Sequence, residues 1–177
     1  MRQANQAIYE ENVKEMRSGR ERMGTTLVMI LIRDNQAAVV HVGDSRLYTL
    51  TLEGELTQIT ADHEVGQRDI NRGIAPEVAY SRPDAYQLTQ ALGPRPEEFV
   101  EPDIQFVEFY ENTLVVLGSD GLTDNDFLET HTYELENLFD SSENLEEGAD
   151  RLIELANAHN GHDNITAILI RIGVRPF

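Results

Sequence analysis

The stretch from Thr113 to Asp124 constrains the fold more than any other part of this sequence. Residues Thr113-Leu114-Val115-Val116-Leu117 predict a buried strand, because they are almost uniformly apolar. The pattern then stops at Gly118-Ser119-Asp120-Gly121. An acidic, glycine-flanked loop after a buried strand suits an ion or a phosphate, since the strand holds the loop still and glycine permits close approach. Asp and Gly are also ordinary turn formers, so this loop alone does not decide between a site and a turn.

Charge and composition limit the classes of function. The chain has 177 residues, enough for one domain with a real core. Its 32 acidic and 14 basic residues give a net charge of −18, which argues against nucleic acid as a partner and suits divalent cations. It has no Cys, and therefore no disulfide and no thiolate metal site. The polar start shows no signal peptide and the longest apolar run, Leu27 to Ile32, is too short to span a bilayer, so we expect a cytoplasmic protein without a membrane partner.

The periodicity predicts an α+β fold of antiparallel sheets covered by helices. Helices are expected over residues 3–18, with Ile8, Tyr9, Val13 and Met16 on an apolar stripe, and over 144–159. Strands are expected mostly as hairpins, over 25–32, 37–42, 47–52, 56–60, 104–109, 113–117 and 165–172. We expect both faces of the first two strands and of the last to be buried. A short helix is expected from Asp62 to Arg72, and residues 74–86 to be exposed and irregular.

Three loops share one design, an Asp among small or polar residues at the end of a buried strand. They contain Asp44 in Gly43-Asp44-Ser45-Arg46, Asp120 in Gly118-Ser119-Asp120-Gly121, and Asp163 in Gly161-His162-Asp163-Asn164. Carboxylate oxygens are the ligands that Mg²⁺ and Mn²⁺ prefer. If the three loops meet, their carboxylates should lie within roughly 4–8 Å of one another around one or two ions.

Other sites that such residues could form are not supported by the spacing. An EF-hand needs acidic or amide ligands at alternate positions and then Gly. If Asp120 is the first position, the third is Leu122, which is not a ligand, and Gly121 comes directly after Asp120. No glycine-rich nucleotide loop and no G-x-S-x-G motif occurs.

The motifs, taken in order, resemble those of the metal-dependent protein phosphatases of the PPM/PP2C family, in its bacterial branch. The six segments that carry the resemblance span roughly residues 23–172 and are Met23-Gly24-Thr25-Thr26-Leu27-Val28, Val42-Gly43-Asp44-Ser45-Arg46, Ile59-Thr60-Ala61-Asp62-His63, Leu88-Thr89-Gln90-Ala91-Leu92-Gly93, Ser119-Asp120-Gly121-Leu122-Thr123-Asp124 and Gly161-His162-Asp163-Asn164-Ile165-Thr166. Any one of these segments would be a weak signal, whereas six in register are a strong one.

This resemblance implies a sandwich of two antiparallel sheets flanked by helices, and hydrolysis of phosphoserine and phosphothreonine in phosphoproteins by a metal-activated water. It implies two or three Mg²⁺ or Mn²⁺ ions in the complete domain. Asp120 and Asp163 would hold the first metal and act in catalysis, Asp120 would be shared with a third metal, and Asp44 would hold that third metal. Ser45, Arg46, Gly121 and Asn164 would support these ligands. Arg46 could bind phosphate, but a salt bridge that locks its loop is the favoured interpretation. Residues 64–86 would form a mobile flap that influences substrate choice.

One departure from the family pattern concerns the start of the chain. In the family an Asp-Gly pair that bridges both catalytic metals lies well upstream of the Met-Gly-Thr-Thr motif, whereas the 22 residues before Met23 contain no Asp. We therefore expect residues 1–177 to be a single partial domain, its C-terminal two-thirds, with weak or no activity and an exposed sheet edge that promotes self-association. Two alternatives stay open: a non-catalytic binding or regulatory module of the same fold with a structural cation site, and an acidic interaction domain whose Asp loops are turns. The histidines His63 and His162 could each act in acid-base chemistry, but we expect both to be structural loop residues.

Overall fold

The computed structural model describes residues 1–139, 144–159, 161 and 163–174. The chain forms two compact units, each made of discontinuous segments. The first unit contains residues 1–29, 40–44 and 61–104, and the second contains residues 30–39, 45–60 and 105–177. His162 and residues 140–143 lie outside the described residues.

Helices and strands follow one another in blocks. The α-helices are α1 (Arg2–Lys14), α2 (Val65–Asn71), α3 (Pro76–Ala79), α4 (Asp120–Thr123), α5 (Phe127–Thr130), α6 (Thr132–Glu136) and α7 (Leu145–His159). The strands are β1 (Leu27–Arg33), β2 (Gln36–Val42), β3 (Arg46–Thr51), β4 (Leu56–Gln58), β5 (Asp103–Glu108), β6 (Thr113–Gly118) and β7 (Ala167–Ile172). One sheet has the order β1-β2-β5 and the other the order β4-β3-β6-β7.

Strand β6 is the centre of the four-stranded sheet. It pairs antiparallel with β3 on one side, from Arg46 opposite Gly118, and with β7 on the other, from Ala167 opposite Gly118. All six of its residues are buried, as the apolar run predicts. This register brings the ends of three strands together beside Gly118, where β6 leads into α4.

The core of the second unit lies between this sheet and the helices that follow it. Side chains of β3 and β6, such as Leu50 and Val116, pack with Leu122, Phe127 and Leu152 from α4, α5 and α7. The helix predicted over 144–159 is confirmed as α7, and Asn144 caps it by accepting the N–H of Glu146 at 3.0 Å. The α4 helix therefore has a fixed base, since its Leu122 is fully buried.

The expectation that strands β1 and β7 are buried on both faces is wrong. Leu31 on β1 is 70% exposed and Ile168 on β7 is 52% exposed. On β5, Phe106 is 84% exposed. An apolar sequence shows that both faces of a strand can be buried, but it does not show whether this chain has an element that packs on each face. Leu31, Ala38 and Phe106 line an open groove of about 460 Å³ in the second unit.

Helix α1 has a polar buried face, which corrects the predicted apolar stripe. Val13 is 57% exposed and Met16 is 87% exposed, whereas Asn5 and Asn12 are buried. The Asn12 amide donates to the carbonyl oxygens of Met23 and Gly93 at 2.8 and 3.1 Å and accepts the N–H of Met23 at 2.7 Å. Asn5 accepts the N–H of Gly93 at 2.7 Å. The helix is thus held by amide hydrogen bonds to two motif segments, and it ends at Lys14 rather than at residue 18.

Residues 64–86 contain more regular structure than predicted. Helix α2 ends near the expected Arg72, and α3 occupies part of the segment expected to be irregular. The buried carboxylate of Asp69 pairs with Arg82 at 3.1 Å and lies near Arg72 at 3.8 Å. These ion pairs tie the end of the segment to α2. Its mobility stays a prediction.

A search of the described residues finds no helix that is both long enough and apolar enough to cross a membrane.

Candidate active site

The Asp120 loop lies where β6 passes into α4. Ser119 stands at the N-cap position of this short helix and Asp120 is its first residue. The Asp120 carboxylate accepts the N–H of Gly121 through Oδ1 at 2.8 Å. Burial of the strand on one side and of Leu122 on the other fixes the backbone from which a half-buried Asp120 projects.

The Asp163 loop packs directly against the Asp120 loop, and Ser119 joins them. The Ser119 hydroxyl donates to the carbonyl oxygen of Asn164 at 3.2 Å and accepts the N–H of Thr166 at 3.0 Å. The backbone N–H of Ser119 donates to the carbonyl oxygen of Thr166 at 3.1 Å. The structure therefore brings the segments carrying Asp120 and Asp163 side by side within the second unit.

Gly121 permits this close approach. A Cβ atom at this position would lie 2.6 Å from the carbonyl oxygen of Asn164, a distance that real Cβ atoms essentially never show. The contact is with backbone, which cannot move aside as a flexible side chain can. Glycine is therefore required for these two loops to touch.

Arg46 locks the other end of α4. Its guanidinium donates to the carbonyl oxygen of Thr123 at 2.8 Å and to the Tyr48 hydroxyl at 3.3 Å. Because Arg46 is paired with Gly118 in the sheet, it connects β3 to the last residue of α4. The contacts described for Arg46 are with a hydroxyl and a carbonyl oxygen, and the salt bridge expected to lock its own loop stays a prediction.

Asp44 belongs to the first unit, together with Gly43 and the segment Ala61–His63. Gly43 has a φ of +109°, and a Cβ there would lie 2.3 Å from the Thr26 side chain. The N–H of His63 donates to the carbonyl oxygen of Gly43 at 3.0 Å. The convergence of Asp44 with Asp120 and Asp163 stays a prediction.

A second polar cluster in the first unit contains His41, His63 and Asp103. One ligand-type atom from each lies within 4.8 Å of the others, so the cluster has the spacing of a metal site. However, Nδ1 of His63 accepts the N–H of Gly43 at 3.1 Å, which leaves the ring proton on Nε2, 3.4 Å from Asp103. A metal ion would have to displace that proton. The contacts therefore favour a hydrogen-bonded network, and burial together with neighbouring His41 lowers the pKa of His63.

The donor atoms of Asp120 and Asp163 fit a hard divalent cation. In each residue Oδ1 accepts the N–H of the next residue, Gly121 at 2.8 Å and Asn164 at 2.7 Å. In the contacts described, Oδ2 of each carboxylate is left for a further partner. Carboxylate oxygens without nitrogen or sulfur donors favour Mg²⁺ or Mn²⁺ over Zn²⁺.

Two further motifs line one groove of the first unit. The groove measures about 840 Å³, and Thr25, Thr26, Thr89 and Gln90 are among the residues that line it. Its described lining also includes Arg22 and Arg95 but no acidic residue. In a chain with a net charge of −18, this absence makes the groove a local exception.

Comparison with known proteins assigns this arrangement to a family. A family model described as Protein phosphatase 2C matches residues 1–69. The crystal structure of the Mycobacterium tuberculosis serine/threonine phosphatase PstP/Ppp is 38% identical, with a TM-score of 0.75 over 97% of this chain and 68% of that chain. The chain belongs to the protein phosphatase 2C family. The predicted fold, two antiparallel sheets with flanking helices, is confirmed by this similarity.

Similar protein sequences support the same family assignment. Serine/threonine protein phosphatase PstP of Mycobacterium tuberculosis strain H37Rv is 39% identical over 96% of this chain, and serine/threonine phosphatase stp of Listeria welshimeri is 40% identical over 92%. The chain spans 31% and 61% of the lengths of these two relatives. A crystal structure of the catalytic domain of PstP in complex with two manganese ions is 37% identical, with a TM-score of 0.73, over 93% of this chain and 65% of that one.

Several residues that hold the site together were missed in the sequence. Ser119 was given no role of its own in the sequence, and its contacts with Asn164 and Thr166 join residues more than 40 positions apart, for which no local pattern is a signal. His41 stands alone in the apolar strand Val39-Val40-His41-Val42, and such a polar residue in a buried strand signals a partner. Asp103 carries no such signal, since it follows a loop rich in acids and prolines.

Proposed function

We propose that this chain carries part of the active site of a metal-dependent protein serine/threonine phosphatase. The observation that carries the proposal is the contact between the Asp120 and Asp163 loops through Ser119 and Gly121. Two carboxylates on adjoining, rigid loops provide the oxygen ligands that a divalent cation needs. The names of the relatives, all serine/threonine or protein phosphatases, indicate the reaction.

In this proposal Asp120 and Asp163 are ligands of one Mg²⁺ or Mn²⁺, and Asp44 is a ligand of a further ion. When bound, such ions lower the pKa of a water and stabilise charge on a transferring phosphoryl group. The chain's own residues hold the ligands in place. Ser119 joins the two loops, Gly121 lets them touch, and Arg46 fixes the end of α4. Ser45 and Asn164 are proposed to support Asp44 and Asp163.

The groove beside Thr25 and Thr89 supports a phosphoprotein as substrate. Arg22 and Arg95 form no ion pair with any carboxylate among the described residues, and Arg22 donates instead to the carbonyl oxygen of Pro94 at 2.7 Å. Two such cations in a groove without acids suit a polypeptide that carries negative charge. Residues 64–86 are proposed as the flap that selects among substrates, and residues 1–177 as part of a single phosphatase domain.

We propose further that these 177 residues alone turn over substrate slowly. A two-metal mechanism needs protein ligands for both ions. The motif carboxylates in this chain, Asp44, Asp120 and Asp163, account for the first and third ions, and no Asp precedes Met23 to serve the second.

Hydrolysis of a small aryl phosphate with millimolar Mn²⁺ tests the proposal, alongside Mn²⁺ binding by calorimetry. The variants are Asp120→Ala and, as a control, Glu154→Ala, which removes an exposed carboxylate of α7. We expect Mn²⁺ binding that Asp120→Ala weakens by at least 10-fold and Glu154→Ala leaves unchanged. Turnover by the 177 residues should be low, and it should rise when an Asp-Gly segment able to anchor the second ion is added to them.

Two results would contradict the proposal. Mn²⁺ binding that is equal in all three proteins would remove Asp120 from the metal site. Rapid turnover that Asp120→Ala abolishes would show that the site is complete by another route, and rapid turnover that survives Asp120→Ala would indicate a contaminating phosphatase.

A further inference from the structure

His63 makes a reciprocal pair of hydrogen bonds with the residue that precedes Asp44. Its backbone N–H donates to the carbonyl oxygen of Gly43 at 3.0 Å, and its ring Nδ1 accepts the N–H of Gly43 at 3.1 Å. Both polar groups of the Gly43 peptide units are therefore satisfied by one residue that is 20 positions away in the sequence.

Gly43 is also confined from its other side. Its φ of +109° is one that L side chains rarely adopt, and a Cβ would lie 2.3 and 2.6 Å from two side-chain atoms of Thr26. The backbone just before Asp44 is thus held between Thr26 and His63. A backbone fixed on both sides limits the directions in which the next side chain can project.

The imidazole ring is itself held in the orientation that this contact needs. It stacks on His41 with ring centroids 4.6 Å apart and an angle of 24° between the planes. Nε2 of His41 lies 2.8 Å from the carbonyl oxygen of Ala61, and so donates to it. Nε2 of His63 faces Asp103 at 3.4 Å. Because Nε2 carries the ring proton, Nδ1 keeps the lone pair that accepts the N–H of Gly43.

We propose that His63 is a positioning residue of the phosphatase site, whose Nδ1 fixes the Gly43 backbone and thereby aims the Asp44 carboxylate at its metal ion. The inference rests on the proposed function, which makes Asp44 a metal ligand. His63 does not touch the ion or the substrate in this role. It acts through Gly43, in the way that partners of metal ligands orient those ligands in other sites.

Two substitutions separate the Nδ1 acceptor from the rest of the side chain. His63→Asn places an amide oxygen close to the position of Nδ1 and keeps an acceptor for Gly43. His63→Leu fills a similar volume without any acceptor. Both variants lose the stack on His41 and the contact with Asp103, so the difference between them reports the acceptor alone. His63→Ala replaces His63→Leu if the latter does not fold.

The first readout is hydrogen exchange of the Gly43 amide, which needs no metal. Leaving a buried N–H without its acceptor exposes it to local opening, so exchange should be about 10-fold faster in His63→Leu than in His63→Asn. The second readout is the part of Mn²⁺ affinity that Asp44→Asn removes. The factor by which Asp44→Asn weakens Mn²⁺ binding should be about 10-fold smaller in the His63→Leu background than in the His63→Asn background.

The outcomes distinguish this inference from the proposed function. Equal Gly43 exchange in the two variants, or equal loss of Asp44-dependent Mn²⁺ affinity in both, would overturn the positioning role. Mn²⁺ binding that Asp44→Asn never changes would overturn the assignment of Asp44 as a ligand, and with it the role proposed for His63. In that case Mn²⁺ binding that still depends on Asp120 would leave the proposed function standing.

Discussion

Substituting Gly121 by Ala should separate the two loops that carry Asp120 and Asp163. The added Cβ would lie 2.6 Å from the carbonyl oxygen and 3.2 Å from the carbonyl carbon of Asn164. The carbonyl oxygen lies about 0.8 Å inside the 3.4 Å at which ordinary contacts at Cβ begin, so relief of this overlap requires a backbone shift of roughly that size. The shift falls on the residue next to Asp163, so we expect it to change the geometry of the ligand pair.

Two opposing effects set the change in stability. Overpacking against a fixed neighbour typically costs about 1–3 kcal/mol. Ala is favoured over Gly inside a helix by up to about 1 kcal/mol, and Gly121 lies within α4. The steric cost is the larger of the two, so we expect the free energy of unfolding to fall by about 1–2 kcal/mol. For a chain of this size that corresponds to a fall in Tm of roughly 2–8 °C.

The assay combines thermal unfolding with Mn²⁺ calorimetry, and Gly173→Ala is the matched control. A Cβ on Gly173 would meet nothing within 4 Å, so this variant should match the wild type in both measurements. In Gly121→Ala the Mn²⁺ affinity should fall by about 10-fold, equivalent to about 1.4 kcal/mol. Wild-type Mn²⁺ affinity in Gly121→Ala would refute the reasoning, since it would show that the spacing of the two loops does not govern metal binding.

Three other perturbations test separate parts of the structure. Asn12→Ala removes three hydrogen bonds and leaves a buried group of Gly93 and partly buried groups of Met23 unpaired. Urea titration should therefore show a loss of about 2–4 kcal/mol in the free energy of unfolding, against less than about 0.5 kcal/mol for the exposed Gln6→Ala. Burial and His41 lower the pKa of His63 in the folded state, so the stability that its neutral form contributes is present above pH 6.5 and is lost as the pH falls through the lowered pKa. His63→Asn should therefore reduce the dependence of the unfolding free energy on pH in this range. If the exposed face of β5 drives self-association, Phe106→Glu should shift light scattering toward monomer, whereas Leu52→Glu, at another exposed apolar position, should not.

The fold was predictable where one local pattern determined the outcome. Strand β6 is a run of apolar residues buried on both faces, and α7 has a single apolar face spaced at 3.6 residues. In both cases the residues that decide the structure are neighbours in sequence. The three Asp loops were also visible, because each adjoins a strand: Asp44 follows β2, Asp120 follows β6 and Asp163 precedes β7.

What the sequence could not show depends on partners far along the chain. Burial of Asn12 in α1 is favourable only because the carbonyl oxygen of Gly93 is there to accept its amide, 81 residues away. The exposure of Leu31 depends on which surfaces cover β1, and hydropathy contains no information on that. The pairing of His63 with Asp103 likewise joins a loop to a strand 40 residues later.

The polar seam between α1 and the segments at Met23 and Gly93 has a consequence for cooperativity. An apolar helix face can shift by one helical turn and still exclude water. The Asn5 and Asn12 amides find their hydrogen-bond donors and acceptors in one register only. A displaced α1 would therefore leave several buried backbone groups dry and unpaired. Docking of this helix should behave as an all-or-none step, and the strand that begins after Met23 should be in place only when that step is complete.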